Sequence, residues 1–325
     1  MAQPSTTIIR TPEARFEHLP DYPFVAHYRE VARDGGQGIE MHYVDEGPRD
    51  GPVVLLLHGQ PSWSYLYRKM IPPLVAAGFR VIAPDLIGFG KSDKPVEREV
   101  HTHSAHVAWM RAFIEGLNLT DINLFVQDWG GLIGLRVVAE IPQRFASITA
   151  ANTGLPAAPF PMSLIGKWTM RHKARRKGAS VATIADVDGF PAWMAHARYA
   201  REFNAGTVLQ SASLTTLSDD EVAAYQAPFP DEPYMAAPRT MPWLVPSELA
   251  QGHAAWKKLE QLDTPVLLLF SDSDPITAGG DKAFAKRMKG AKGQPHTTIE
   301  KAGHFLQEDK GAEIAGLMIQ WLKAL

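Results

Sequence analysis

The stretch Leu124-Phe125-Val126-Gln127-Asp128-Trp129-Gly130-Gly131 decides the fold of this chain. An apolar run typical of a buried strand stops at an acid, and two glycines and an apolar segment with helical spacing follow at once. This pattern predicts a strand, a sharp turn and a helix, with Asp128 at the tip of the turn. Because such a turn pushes the side chain at its tip beyond the end of the sheet, we interpret Asp128 as a covalent nucleophile.

Short apolar runs alternate with amphipathic segments on both sides of this stretch. Predicted strands cover residues 39–46, 53–57, 79–83, 122–127, 145–151, 265–270 and 296–300. Predicted helices cover about 65–76, 104–117, 130–140, 281–289 and 310–324. Such a regular alternation is typical of a doubly wound, mostly parallel α/β sheet.

The alternation stops between about Leu155 and Ser247. This part is rich in proline, methionine, tryptophan and alanine, and it contains helical patterns such as Ser218 to Tyr225 but no convincing buried strand. We therefore predict a helical cap domain at 155–247, inserted into a main domain that is formed by 1–154 and 248–325.

The composition narrows the class of protein. With 325 residues and 45% hydrophobic content, the chain can bury a large core. Its 33 basic and 35 acidic residues give a net charge of -2, so we expect no nucleic-acid or membrane partner, a small neutral ligand and a monomer. The absence of cysteine excludes thiolate catalysis and disulfides. The sequence shows no secretion signal and no long apolar stretch, so we expect a cytoplasmic protein.

Three side chains with catalytic chemistry follow predicted strands, in the order Asp128, Asp274 and His304. Ligands of an open parallel sheet bind at the carboxyl ends of its strands, where these residues would meet. Nucleophile, acid and histidine is also the order of α/β-hydrolase triads, which predicts an α/β-hydrolase fold. Asp272 competes with Asp274, and we expect one of the two to shape the turn while the other orients the histidine.

A group of three histidines, His101, His103 and His106, is the strongest candidate for a metal site. It lacks a paired pattern of acidic ligands, however. We predict no metal, and we expect these histidines to begin a solvated helix.

Two further motifs have simple explanations. Residues 88–92 resemble a phosphate-binding loop, but Asp85 stands where that pattern requires a glycine. The basic run from Lys167 to Lys177 could bind an anionic surface, but the exposed face of a cap helix explains it better.

A carboxylate nucleophile restricts the reaction. An ionised aspartate needs no base in order to attack, and it suits displacement at a saturated carbon, which yields an ester of the enzyme. Hydrolysis of that ester needs water activated by His304, with Asp274 orienting the imidazole. The backbone N–H groups of Gln60 and Trp129 are placed to bind the resulting oxyanion.

Carbon–halogen bonds and epoxides both fit this chemistry. An epoxide opens to an alkoxide and needs a proton donor, which a cap tyrosine such as Tyr199, Tyr225 or Tyr234 could supply. A halide leaves as a stable anion and needs only N–H donors in a dry pocket. Because an indole N–H is donor only, Trp129 beside the nucleophile favours a halide.

Several stretches resemble the haloalkane dehalogenases: residues 58–70, 88–95 and 126–131, together with 10–16 near the start and 227–231 in the cap. The resemblance is closest to the subfamily with an Asp-His-Asp triad and two halide-binding tryptophans. It implies Asp128 as nucleophile, His304 as base and Asp274 as the acid. It also implies Trp129 and, from the motif Asp188-Gly189-Phe190-Pro191-Ala192-Trp193, Trp193 as halide ligands, with Phe190 lining the pocket. The substrates would be a small haloalkane and water, the products an alcohol and halide, and no cofactor is implied.

Departures from the family pattern concern the cap and the oxyanion loop. Gln60 stands where relatives carry Glu or Asn, so only its backbone role carries over. The segment from about 157 to 187 is longer than in relatives, which leaves the shape of the tunnel open. Three other tryptophans, Trp168, Trp243 and Trp256, are alternatives to Trp193, since large aromatics usually serve packing. A non-catalytic receptor on the same fold is the alternative from another class.

Overall fold

Apolar runs of the sequence form the strands of a central sheet. The computed structural model describes residues 6–34, 37–177 and 189–325. Its strands are β1 (Ile8–Ile9), β2 (His27–Asp34), β3 (Gln37–Glu46), β4 (Val53–Leu57), β5 (Arg80–Pro84), β6 (Lys94–Pro95), β7 (Ile122–Gln127), β8 (Phe145–Ala151) and β9 (Val266–Leu268).

Seven of these strands form one sheet in the order β2-β3-β5-β4-β7-β8-β9. The strands from β5 to β9 in that order run parallel, whereas β2 and β3 pair antiparallel at one edge. The parallel strands are almost entirely buried, as expected for a sheet that is covered on both faces. This confirms the predicted mostly parallel α/β architecture.

Eleven α-helices occur in the part of the chain that is described. They are α1 (Ile71–Ala76), α2 (His103–Gly116), α3 (Trp129–Glu140), α4 (Met162–Lys177), α5 (Phe190–Tyr199), α6 (Ala205–Ser211), α7 (Asp219–Gln226), α8 (Ala236–Leu244), α9 (Leu249–Leu259), α10 (Gly280–Arg287) and α11 (Leu306–Leu322). α1 packs against α11, while α2 and α9 pack against α3. None of the described helices is long and apolar enough to cross a membrane.

Three local predictions differ from the structure. The helix expected over 65–76 is divided into a short 3-10 turn (Ser64–Tyr67) and α1, because Pro72 and Pro73 favour the first turn of a new helix. The strand expected over 296–300 forms a single bridge, between Ser271 and Ile299. There the ladder is interrupted because the Leu268 N–H donates to the His296 side chain at 3.2 Å. β2 was not predicted at all.

Helices α4 to α8 lie between β8 and β9, and no strand occurs in 155–177 or 189–247. This is the segment for which the sequence predicts a cap, and its exact boundaries remain a prediction. Residues 178–188 lie outside the described residues. They include Asp188 of the predicted tryptophan motif and the end of the segment 157–187.

Candidate active site

Asp128 lies at the sharp turn between β7 and α3, with φ 48° and ψ -124°. A non-glycine residue in this region of φ stores on the order of 1–3 kcal/mol of strain. Three hydrogen bonds hold the turn: Asp128 N donates to Asn152 O at 3.0 Å, and Asp128 O accepts from Thr153 Oγ1 at 2.7 Å and from Gly131 N at 2.9 Å. The backbone of Asp128 is therefore fixed by β8 as well as by its own helix.

Two glycines allow the close approach of backbone to this turn. A Cβ on Gly130 would lie 2.0 Å from Leu57 O, and a Cβ on Gly59 would lie 2.2 Å from Asp128 Oδ1. Both distances are far below van der Waals contact. Any larger residue at either position would therefore displace the carboxylate or the strand end beside it.

Asp128, His304 and Asp274 come together at the carboxyl ends of the sheet. His304 Nδ1 lies 3.1 Å from Asp274 Oδ2, and His304 Nε2 lies 3.5 Å from Asp128 Oδ2. His304 and Asp274 are buried, whereas the Asp128 side chain keeps 17% of its surface exposed. The imidazole thus bridges the two carboxylates, with its Nδ1–H toward Asp274.

Asp274 rather than Asp272 contacts the histidine. Asp274 accepts hydrogen bonds from Ile276 N at 2.8 Å and from the Thr277 backbone and hydroxyl. Burial opposes its ionisation, but the imidazole of His304 and these donors prevail and lower the pKa of Asp274 to about 2. Asp272 is exposed and accepts from Lys301 N at 2.9 Å, so it shapes the loop that leads to His304.

Gln127 is a site residue that the sequence interpretation missed. Its amide Nε2 donates to His304 O at 3.1 Å and lies 3.2 Å from His304 Nε2. When that ring nitrogen is unprotonated, its lone pair can accept from the amide. Its position directly before Asp128, at the end of a buried strand, is the only signal in the sequence that could have revealed it.

The oxyanion loop at Gln60 is locked by a buried histidine. His58 Nδ1 donates to Gly59 O at 2.8 Å, and its Nε2 accepts from Leu86 N at 2.9 Å. Burial lowers the pKa of His58, which keeps this tautomer uncharged. Gln60 N donates to Asp128 Oδ1 at 2.7 Å, while the Gln60 side chain donates to Pro238 O in α8 at 2.8 Å.

Trp129 and Trp193 are both buried, on α3 and α5 respectively. Trp129 packs edge-on against His103, with ring centroids 5.4 Å apart, and Trp193 stacks on His196 at 5.7 Å. Among the described residues, neither indole N–H donates to a protein acceptor. Phe190 begins α5 and is half-buried beside Trp193.

The other tryptophans have different surroundings. The Trp256 indole donates to Leu155 O at 2.8 Å, Trp168 is 68% exposed, and Trp243 packs under arginine side chains. Among the described residues of 155–247, Trp193 and Trp243 are therefore the buried tryptophans whose indole N–H donates to no protein acceptor, and Trp243 differs in packing under arginines.

The histidine group at the start of α2 is buried, so the expectation of a solvated helix is wrong. His101 Nε2 donates to Pro95 O at 2.8 Å, His101 Nδ1 lies 3.4 Å from His106 Nε2, and His103 Nε2 donates to Leu132 O at 3.0 Å. Burial lowers the pKa of His101 and of His103 to about 4. The sequence misleads because these polar rings occupy the apolar face of α2, where they pack on Trp109 and Trp129.

The cap tyrosines that an epoxide hydrolase would require are engaged or remote. Tyr225 is fully buried and donates its hydroxyl to Glu308. Tyr199 is 47% exposed and packs against Trp243. Tyr234 is partly buried and packs against the core. The epoxide alternative is therefore not favoured.

Comparison with known proteins agrees with this geometry. Residues 52–311 match the family described as alpha/beta hydrolase fold. A haloalkane dehalogenase of Psychrobacter cryohalolentis is 47% identical over 320 residues, which cover 97% of this chain and 98% of that protein. One from Mycolicibacterium paratuberculosis is 45% identical over 323 residues, covering 98% and 99%. The solved haloalkane dehalogenase DpaA of Paraglaciecola agarilytica NO2, described as tetrameric, has a TM-score of 0.81 at 29% identity and covers 98% of this chain and 99% of its own. The chain therefore belongs to the haloalkane dehalogenases, hydrolases built on the alpha/beta hydrolase fold.

Proposed function

We propose that Asp128 displaces halide from a haloalkane by direct attack on the carbon that carries it. The observation behind this proposal is the carboxylate at the strained turn, with His304 Nε2 3.5 Å away and Asp274 behind the imidazole. The new carbon–oxygen bond takes its electron pair from the carboxylate, and the carbon–halogen pair leaves with the halide. The product is an alkyl ester of Asp128.

The departing halide is bound by indole N–H groups in this proposal. Trp129 and Trp193 are buried, and their N–H groups are not used by described protein acceptors. In a dry pocket a donor that is already oriented stabilises developing negative charge without reorganisation. Phe190, half-buried at the start of α5, contributes apolar wall for the alkyl chain.

Hydrolysis of the ester uses His304 and two backbone N–H groups. His304 removes a proton from water, which attacks the ester carbonyl carbon, and the backbone N–H of Gln60 stabilises the oxyanion together with that of Trp129. Gln60 N already lies 2.7 Å from Asp128 Oδ1, the atom on which this charge develops. Collapse of the intermediate releases the alcohol and restores the carboxylate.

The charge of Asp128 controls when His304 can act as a base. In the free enzyme, burial opposes the charged imidazolium, but Asp274 and Asp128 outweigh it and raise the pKa of His304. Alkylation makes Asp128 neutral and removes one of these two charges. The pKa of His304 therefore falls in the intermediate, at the step where an unprotonated nitrogen is needed.

Trapping the ester tests this assignment. A His304→Phe variant incubated with 1-bromobutane should retain a butyl group on the peptide that contains Asp128, because the first step survives and the second does not. His253→Phe, on the surface helix α9, should turn over without accumulating an adduct. A folded His304→Phe protein that gains no mass would contradict the proposed mechanism.

The monomer remains a prediction, and the tetrameric description of DpaA gives reason to measure it. Light scattering of the purified protein over a range of concentrations would decide. The reaction as proposed uses only the haloalkane and water, with halide and alcohol as products.

A further inference from the structure

The outer face of α4 and the turn before it expose an unusual amount of apolar surface. Nine large hydrophobic side chains are exposed among the described residues, and five of them lie within residues 160–168. These five are Phe160, Met162, Leu164, Ile165 and Trp168. Trp168 is 68% exposed and Phe160 is 75% exposed. Clustering of this kind marks an interaction site, whereas scattered single residues would need no explanation.

The second half of α4 is strongly basic and contains no acid. Its five cations are Arg171, Lys173, Arg175, Arg176 and Lys177, and Lys167 precedes them in the first half. Among the described residues, no carboxylate forms an ion pair with Lys173, Arg175 or Arg176. Three neighbouring cations without an ion pair among the described residues fit an anionic partner.

Two of these guanidinium groups and that of Arg198 on α5 surround a single ring. The Cζ atoms of Arg171, Arg175 and Arg198 lie 5.4, 5.9 and 5.1 Å from the centroid of Trp243. Burial and the charges of Arg198 and Arg175 lower the pKa of Arg171. The like charges repel one another here, so binding of an anion would relieve an unfavourable arrangement.

The two kinds of surface lie side by side along one helix face. Ile165, Trp168, His172 and Arg176 are spaced three and four residues apart and therefore share a face, apolar in its first half and basic in its second. A second copy does not complement this face. Parallel α4 helices would place cations on cations, and antiparallel helices would place cations on apolar side chains. A bilayer interface accepts both, since acyl chains receive the apolar residues and phosphates receive the cations.

We propose that the face of residues 160–177 binds the surface of a membrane that contains anionic phospholipids, with α4 lying in the interfacial plane. The helix is about 24 Å long, which suits a peripheral contact. Pro191, in the first turn of α5, lines the same surface cleft as Trp168 and Arg176, so the contact adjoins the helix that carries Trp193. Apolar haloalkanes concentrate in lipid, and the contact would place the cap next to that store. The net charge of -2 conceals this local excess of cations.

Vesicle co-sedimentation tests the proposal without reference to catalysis. The full chain is mixed with vesicles of phosphatidylcholine alone, or of phosphatidylcholine with an equal amount of phosphatidylglycerol. Wild type should bind only the anionic vesicles, and added salt should weaken binding. A Lys173→Gln/Arg175→Gln/Arg176→Gln variant should bind on the order of a hundredfold more weakly, because each cation near such a surface contributes about 1 kcal/mol.

A matched control removes the same charge elsewhere. Lys257, Lys258 and Lys282 are exposed on α9 and α10, and their triple glutamine variant should bind as wild type does. Equal binding by the two triple variants would overturn the proposal. An Ile165→Ser/Trp168→Ser variant tests the alternative that this face is an interface between copies of the chain. If wild type is an oligomer that does not bind anionic vesicles, and light scattering shows a smaller species for this variant, the alternative holds and the proposal fails. Unchanged halide release by each variant shows that it is folded.

Discussion

The main-domain half of the active site and its cap half are held by different kinds of contact. Asp128, Asp274 and Gln60 each form hydrogen bonds with backbone atoms, and the shortest such bond of each residue is 2.7 to 2.8 Å long. Trp193 is held by ring contacts, stacking on His196 and tilting against Phe203 at 6.1 Å. Hydrogen bonds fix direction, whereas apolar packing tolerates changes of shape. The residues proposed for the bond chemistry therefore lie in the rigid half, and those proposed for substrate fit lie in the half that can vary.

The largest effect is expected from breaking the rigid half at Asp274. In Asp274→Asn the carboxylate that accepts from His304 Nδ1 is lost, so the imidazole loses its orientation and its charge partner. We expect kcat to fall on the order of 10⁴-fold, by analogy with loss of the acid in other triads. Stopped-flow kinetics should show that hydrolysis of the ester is slowed far more than its formation.

Asp272→Asn provides the matched control two residues away. Its exposed carboxylate contacts Lys301 N and not the imidazole, so kcat should stay within severalfold of wild type. Similar losses in both variants would show that the loop as a whole, and not the contact between Asp274 and His304, determines the rate.

Acid should destabilise the rigid half through the histidines beneath Trp129. The folded pKa values of His101 and His103 are about 4, below the ordinary value of 6.5, so the unfolded state binds more protons between these limits. The free energy of unfolding should therefore fall as pH drops from 6.5 to 4, by on the order of 3 kcal/mol for each histidine. Two other groups change the free energy of unfolding outside this pH window. Asp274, with a pKa of about 2, does so only at lower pH, and His304, whose pKa is raised, does so only at higher pH.

Urea unfolding at several pH values measures this dependence. His103→Phe should reduce the fall by on the order of 3 kcal/mol, whatever its effect on stability at neutral pH, because one titrating group is gone while His101, His106 and His58, whose pKa values are also lowered, remain. His253→Phe, on surface helix α9, should leave the slope unchanged. Parallel curves for wild type and His103→Phe would refute the assignment of the pH dependence to this group.

A smaller effect is expected in the cap half. Trp193→Phe keeps the aromatic packing but removes the N–H, and a hydrogen bond to a charged group contributes about 1.5–3 kcal/mol. The inhibition constant for bromide should rise about ten- to hundredfold. Trp168→Phe, on the exposed face of α4, should not change it, and a shift of equal size there would exclude a specific role for Trp193.

The smallest effect concerns the link between the halves. Gln60 donates its side-chain amide to Pro238 O of the cap, while its backbone N–H serves Asp128. Gln60→Ala should keep the backbone contact and change KM by only severalfold, since a net hydrogen bond contributes about 1 kcal/mol. If kcat instead falls by orders of magnitude, the side chain takes part in the chemistry.

The parallel strands and the turn at Asp128 could be predicted from sequence because each depends on local signals. Val53–Leu57 and Ile122–Gln127 are short apolar runs that end at glycines or polar residues, and the structure reproduces both ranges. β2 was missed because it carries charges at an exposed edge and gains its strand character only by pairing with β3.

The residues of the site likewise divide into those that a local sequence signal predicts and those that no such signal predicts. Strand ends predict where Asp128, Asp274 and His304 lie, and the structure brings them together. The contacts of Gln127 with His304 and of His58 with Leu86 span 177 and 28 residues, and no local pattern announces them. The burial of His101 and His103 was likewise hidden, because it depends on the packing of α2 against α3.

Oxygen labelling tests the central claim, that Asp128 is a covalent nucleophile, most directly. A single turnover is run in ¹⁸O-water with enzyme in excess over 1-bromobutane, and both the alcohol and the proteolysed enzyme are weighed. If water attacks the ester carbonyl, the label enters the carboxylate of Asp128 and the first alcohol released is unlabelled. Labelled alcohol with an unlabelled Asp128 peptide would mean that water attacks the substrate directly, and would contradict the account.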